Sequence, residues 1–97
     1  MVQFTKEIMQ IAAANGVTFD IGINMFIANI EGAKLGNMPR YAGAAVDYGA
    51  LVPRLDELRG TTDALNQLHT AHYDQVTKIY NEQGAEAAAD YLAAQAG

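Results

Sequence analysis

Apolar positions recur at helical spacing in every long segment of the chain but one. Phe4, Ile8, Ile11 and Ala12 share one side of the first segment, as an amphipathic helix requires. Thr5 is placed to cap this helix, which runs to about Asn15. Gly16 stands where a left-handed C-terminal cap belongs, followed by apolar Val17.

The exception is "VTFDIGIN". Val17, Phe19, Ile21 and Ile23 alternate with Thr18, Asp20, Gly22 and Asn24, which is the period of a strand. No second run of this kind is available to pair with it, and a lone strand leaves its backbone groups without partners. The expectation is therefore a helix from an Asp20 cap to Leu35, entered through extended residues 17–19, with intermolecular strand pairing as the alternative. Such a helix carries Ile21, Met25, Ala28 and Leu35 on one side and Ile23, Phe26, Ile27 and Ile30 on the other. A helix apolar on nearly all sides belongs inside a bundle or an assembly.

Pro39 suits a first helical position. A third helix is expected from Pro39 to Arg59, with Tyr41, Ala44, Ala45, Tyr48, Leu51, Val52, Leu55 and Leu58 on one face. Pro53 should bend or interrupt it near Gly49. Gly60 reads as the turn that closes it, with Thr61 or Thr62 capping the next helix. That fourth helix spans Asp63 to Gln83 and stops at Gly84. An alanine-rich helix over 85–96 finishes the chain, with Glu86 and Asp90 near its positive end. The pattern predicts an all-α fold, one domain over residues 1–97. It is a small bundle of four to five helices, in which the third and fourth form an antiparallel hairpin about Gly60.

Composition changes this picture in one respect. Much of the apolar content of the 97 residues is alanine, as in "IAAANG" and "AEAAADYLAAQAG". Alanine contributes little at about 25 cal/mol per Å² of buried apolar area, and small domains bury proportionately less surface. Partner surface, from a second copy or another protein, is expected to complete the burial.

Charge and cysteine content remove several function classes. The six Lys and Arg are scattered and the net charge is −5. No basic footprint exists for nucleic-acid phosphates. There is no cysteine, so disulfides, thiolate nucleophiles and cysteine metal sites are excluded. Small secreted domains usually carry disulfides, which favours a cytoplasmic or particle-enclosed setting. "MVQFTKEIMQ" has neither the basic start nor the apolar run of a signal peptide. "INMFIANI" falls well short of the roughly 20 apolar residues that cross a bilayer, so no membrane partner is expected.

The candidate chemistry centres on "LHTAHYD". On a continuous wheel, His69 and His72 fall among Leu65, Val76 and Ile79, flanked by Leu68, Tyr73 and Tyr80, while Asp74 points away. Zinc wants three or four protein ligands, and this spacing supplies two. The histidines therefore read as polar-tipped members of a packing face, each with one nitrogen hydrogen-bonded. The chain has no serine, no cysteine and no nucleophile elbow, and its glycines lack the spacing of a nucleotide cradle. No enzyme, metal or cofactor is implied.

Small residues Ala42, Ala45 and Gly49 beside Tyr41 and Tyr48 suggest a close helix crossing. The expected protein interface comprises Tyr41, Ala45, Tyr48, Gly49, Leu65, Leu68, His69, His72, Tyr73, Val76 and Tyr80. The expected role is a non-enzymatic helical subunit that self-associates or docks on a larger protein assembly, such as a virion component or an accessory modulator. The alternative is a regulator that binds a small molecule or metal near the histidines, with Tyr48 or Tyr80 as polar contacts.

Overall fold

The computed structural model describes residues 2–41 and 46–96, with side chains from residue 4 onward. The described residues are helical and contain no strand. The elements are α1 (Val2–Asn15), α2 (Phe19–Lys34), the single turn α3 (Tyr48–Leu51), a 3₁₀ turn (Val52–Arg54), α4 (Leu55–Ala71), α5 (Tyr73–Gln83) and α6 (Ala85–Gln95). The all-α bundle read from the periodicity is the fold.

α1 ends as its glycine dictates. Gly16 has φ +65, and the Val17 N–H donates to the Ala12 carbonyl at 3.0 Å, the six-to-one bond of such a cap. Thr5 lies inside this helix with its side chain fully buried, so it is not the residue that starts it. The alternating segment after it is helical, because the apolar residues of α2 find a core on one side. Phe19, Ile23, Phe26, Ile27 and Ile30 are buried while Ile21 stays exposed. The helix starts one residue before Asp20, after an extended Thr18 at φ −73, ψ 166.

α2 turns from α1 by 108°, and the two helices approach through small residues. A Cβ built on Gly22 would lie 3.0 Å from the Ala12 Cβ and 3.1 Å from the Ile8 carbonyl oxygen. Close approach of backbones is therefore located at Gly22 and Ala12. The crossing expected at Ala42, Ala45 and Gly49 differs: Ala42 and Ala45 lie outside the described residues, and Gly49 is exposed. α6 packs along both α1 and α5, burying Ala88, Ala89, Leu92 and Ala93. Its alanines let it sit close. Lys6 of α1 spans to Glu86 and Asp90 of α6 at 3.4 Å each, exposed pairs of small energetic weight.

The third and fourth helices depart from the periodic reading. No helix starts at Pro39; residues 37–40 are irregular, and Asp47 caps the short α3 by accepting from the Gly49 N–H at 3.1 Å. Asn29, nearly fully buried in α2, fixes the preceding loop. Its Oδ1 accepts from the backbone N–H groups of Arg40 at 3.0 Å and Tyr41 at 3.3 Å. Pro53 does interrupt the helical path, within the 3₁₀ turn. Gly60 does not: α4 runs through it to Ala71, so the expected hairpin about Gly60 is absent. A glycine inside a helix is merely a weak point when its flanks pack. Thr61 and Thr62 donate back to the Glu57 and Arg59 carbonyls, each at 3.1 Å, and do not cap.

The break falls instead at His72, at φ −113, ψ 22. Two residues earlier the Thr70 hydroxyl donates to the Asn66 carbonyl at 3.0 Å, a back-bond that slightly destabilises a helix. Neither proline nor glycine marks this break. α4 before it packs on α2, whereas α5 after it packs along α6.

Candidate binding cleft

The α1–α2 turn and the α4–α5 break face each other across a cleft of about 540 Å³. One wall is Gly16, Val17, Thr18, Phe19 and Asp20. The other is Asn66, His69 and Thr70 of α4 with Tyr73, Val76, Thr77 and Tyr80 of α5. Met9, Ala12 and Ala13 of α1 complete it. Met9, Ala12, Phe19 and Val76 are buried and form an apolar floor. Tyr73, 56 % exposed, stands at the rim.

Ring contacts organise the cleft. His69 lies flat on Phe19, with centroids 4.5 Å apart and planes 7° apart. Tyr73 meets the same imidazole edge-on at 5.8 Å and 86°. Three rings from three elements thus hold one another in place, as offset and edge contacts between aromatics do. Both histidines are held by rings rather than by the expected hydrogen bond. His72 turns to Tyr91 of α6, edge-on at 6.0 Å. The two do not act as a pair, and among the described residues no three His, Asp or Glu side chains converge as metal ligands.

Among the described residues, Asp20 is the one charged residue that lines the cleft. Its carboxylate accepts from the Thr18 hydroxyl, and that bond, above all, holds its pKa below the usual aspartate value. His69 is shifted down. Burial disfavours its charged form, and the nearby Asp20 carboxylate offsets part of that effect. A histidine whose folded pKa is depressed binds fewer protons folded than unfolded between the two values. Its stabilising effect is complete above the unfolded value of about 6.5 and is lost as pH falls below it. The melting temperature should therefore fall from pH 8 to pH 5 more in the wild type than in His69→Phe, which keeps the stack without the titration. Parallel curves would place the ring in water.

The expected interface residues divide between this cleft and the core. His69, Tyr73, Val76 and Tyr80 come together in the cleft, Val76 as floor. Leu65 and Tyr48 are each 2 % exposed and pack in the interior of the chain, outside the cleft lining. Tyr48 packs edge-on against Phe26 at 5.7 Å and donates its hydroxyl to the buried Glu7 carboxylate. Burial, then this carboxylate, pushes its phenol pKa up. Tyr48 therefore cannot be a polar contact in a cleft near the histidines, whereas Tyr80 is placed for it. Leu68 and Tyr41 are half-buried against the core, Gly49 is exposed away from the cleft, and Ala45 lies outside the described residues.

Phe19, Thr18 and Asp20 were not among the expected site residues. The Gly16 cap was legible, but the direction in which it sends the chain was not. Comparison with known proteins gives no match to a family model, to a curated protein or to a solved structure.

Proposed function

We propose that the chain is a non-enzymatic recognition subunit that takes apolar side chains of a protein partner into the cleft between the α1–α2 turn and the α4–α5 break. The observation that carries this reading is the exposed Tyr73 over the fixed Phe19–His69 stack. A large amphipathic ring beside a preformed apolar hollow is what binding hot spots use.

A photo-crosslinking phenylalanine analogue at position 73, used in the source cells, tests the reading. The expected result is a discrete protein adduct that the same analogue at exposed Asn81 of α5 does not give. Absence of any adduct at position 73 sinks it.

A second reading has its own support. The cleft volume of about 540 Å³ lies within the range of small-molecule sites, and Thr77, Tyr80 and Asn66 offer polar contacts. A screen of neutral aromatic compounds by chemical-shift perturbation at His69 distinguishes it.

A further inference from the structure

We infer that the occupant of the cleft is a second copy of this chain, which inserts the loop that follows α2, Leu35 to Arg40. The inference rests on the recognition reading and names its partner. Four large apolar side chains are exposed among the described residues: Ile21, Leu35, Met38 and Tyr73. They gather at the two ends of α2. Tyr73 stands over the cleft beside the first turn of α2, and Ile21 follows Asp20 directly. Leu35 and Met38, 77 % and 84 % exposed, protrude just past its last turn.

The two ends are chemically complementary. The protruding loop is "KLGNMPR", with Lys34 and Arg40 flanking the apolar pair and no acid between them. This is a locally basic spot on a chain of net charge −5. The cleft has an apolar floor and Asp20 as its one charged lining residue, kept ionised by Thr18. A leucine and a methionine side chain together fit within its volume. The loop is also preformed, because the buried Asn29 side chain holds the backbone of Arg40 and Tyr41 and Gly36 takes φ +81. Little ordering entropy opposes its insertion.

Geometry forbids the loop from filling its own chain's cleft. α2 has 16 residues, which at about 1.5 Å per residue keeps its ends roughly 24 Å apart. The contact is therefore between unlike surfaces of two copies, a head-to-tail arrangement that extends into rings or filaments. It sets the C-terminal end of one α2 toward the N-terminal end of the next, the favourable alignment of their dipoles.

Complementation between two variants tests this. Leu35→Asp/Met38→Asp removes the loop's apolar pair and leaves the cleft. Tyr73→Arg sets a like charge against Lys34 and Arg40 and leaves the loop. In sedimentation velocity the wild-type mass should rise with concentration beyond a dimer. Each variant alone should remain monomeric, with helical circular dichroism unchanged. Mixed one to one, they should form a discrete dimer, since one intact loop then meets one intact cleft. A wild type monomeric at every concentration overturns the inference, including one that binds anionic vesicles instead. So does a mixture that fails to pair, or a variant that associates like the wild type. The position-73 crosslink separates this from the broader reading. An adduct to residues 34–40 of a second copy supports self-docking. An adduct to a different protein leaves recognition standing and overturns self-docking. No adduct removes both.

Discussion

Phe26→Ala should lower the unfolding free energy by about 3–5 kcal/mol, the usual cost of deleting a fully buried phenylalanine ring. Phe26 is 0 % exposed and joins elements distant in sequence. It contacts Phe4 of α1 at 6.0 Å and Tyr48 of α3 at 5.7 Å. Removing it leaves a void between α1, α2 and α3, and loosens Tyr48 beside the buried Glu7. Domains of this size are stable by about 5–15 kcal/mol in total. Each kcal/mol is worth roughly 4–8 °C in Tm, so the expected fall is tens of degrees. Thermal and urea unfolding read it directly. A loss below about 1 kcal/mol, within the range of ordinary surface substitutions, would contradict this core.

Gly22→Leu should be comparably damaging, at about 3 kcal/mol, the upper part of the range for overpacking. The added Cβ alone meets the Ala12 Cβ at 3.0 Å and the Ile8 carbonyl oxygen at 3.1 Å. Neither neighbour can swing aside, because one is a methyl group fixed to the helix and the other is backbone. The remaining atoms of leucine require α1 and α2 to separate. Gly60→Ala is the contrasting control. Gly60 is exposed in α4, and a Cβ there meets nothing within 4 Å. Alanine should add about 0.5–1 kcal/mol of stability through helix propensity. A destabilising Gly60→Ala would restore a turn at that position; a neutral Gly22→Leu would refute the close crossing. Urea midpoints of the two variants, measured together, decide both points.

The cleft follows from the same interplay of cap and packing. His69 lies one turn before the break at His72, so α4 presents it to α2 while α5 is aimed at α6. The helical wheel put both histidines among Leu65, Val76 and Ile79. The two meet different elements, His69 stacking on Phe19 of α2 and His72 meeting Tyr91 of α6 edge-on. Of the two histidines His69 lines the cleft, with Tyr73, Val76 and Tyr80.

Sequence determined what is local. Apolar spacing established an all-α chain, Gly16 fixed the end of α1, Gly84 the end of α5, and Pro53 the interruption before α4. These are effects of φ restriction and side-chain period, which act within a few residues. Tertiary structure decided the rest. The strand-like alternation of "VTFDIGIN" gave way to helix because the core covers Phe19, Ile23 and Phe26 along one helical face. Gly60 stayed helical because Leu58 and Leu65 on either side of it are buried. The break came at His72, which neither proline nor glycine marks, and the close crossing came at Gly22, where a missing Cβ matters only once Ile8 and Ala12 lie opposite. Local propensities differ by about 1 kcal/mol or less per residue, apart from proline. Burial of a single large side chain is worth about 1.5–3 kcal/mol, and at these positions it prevailed.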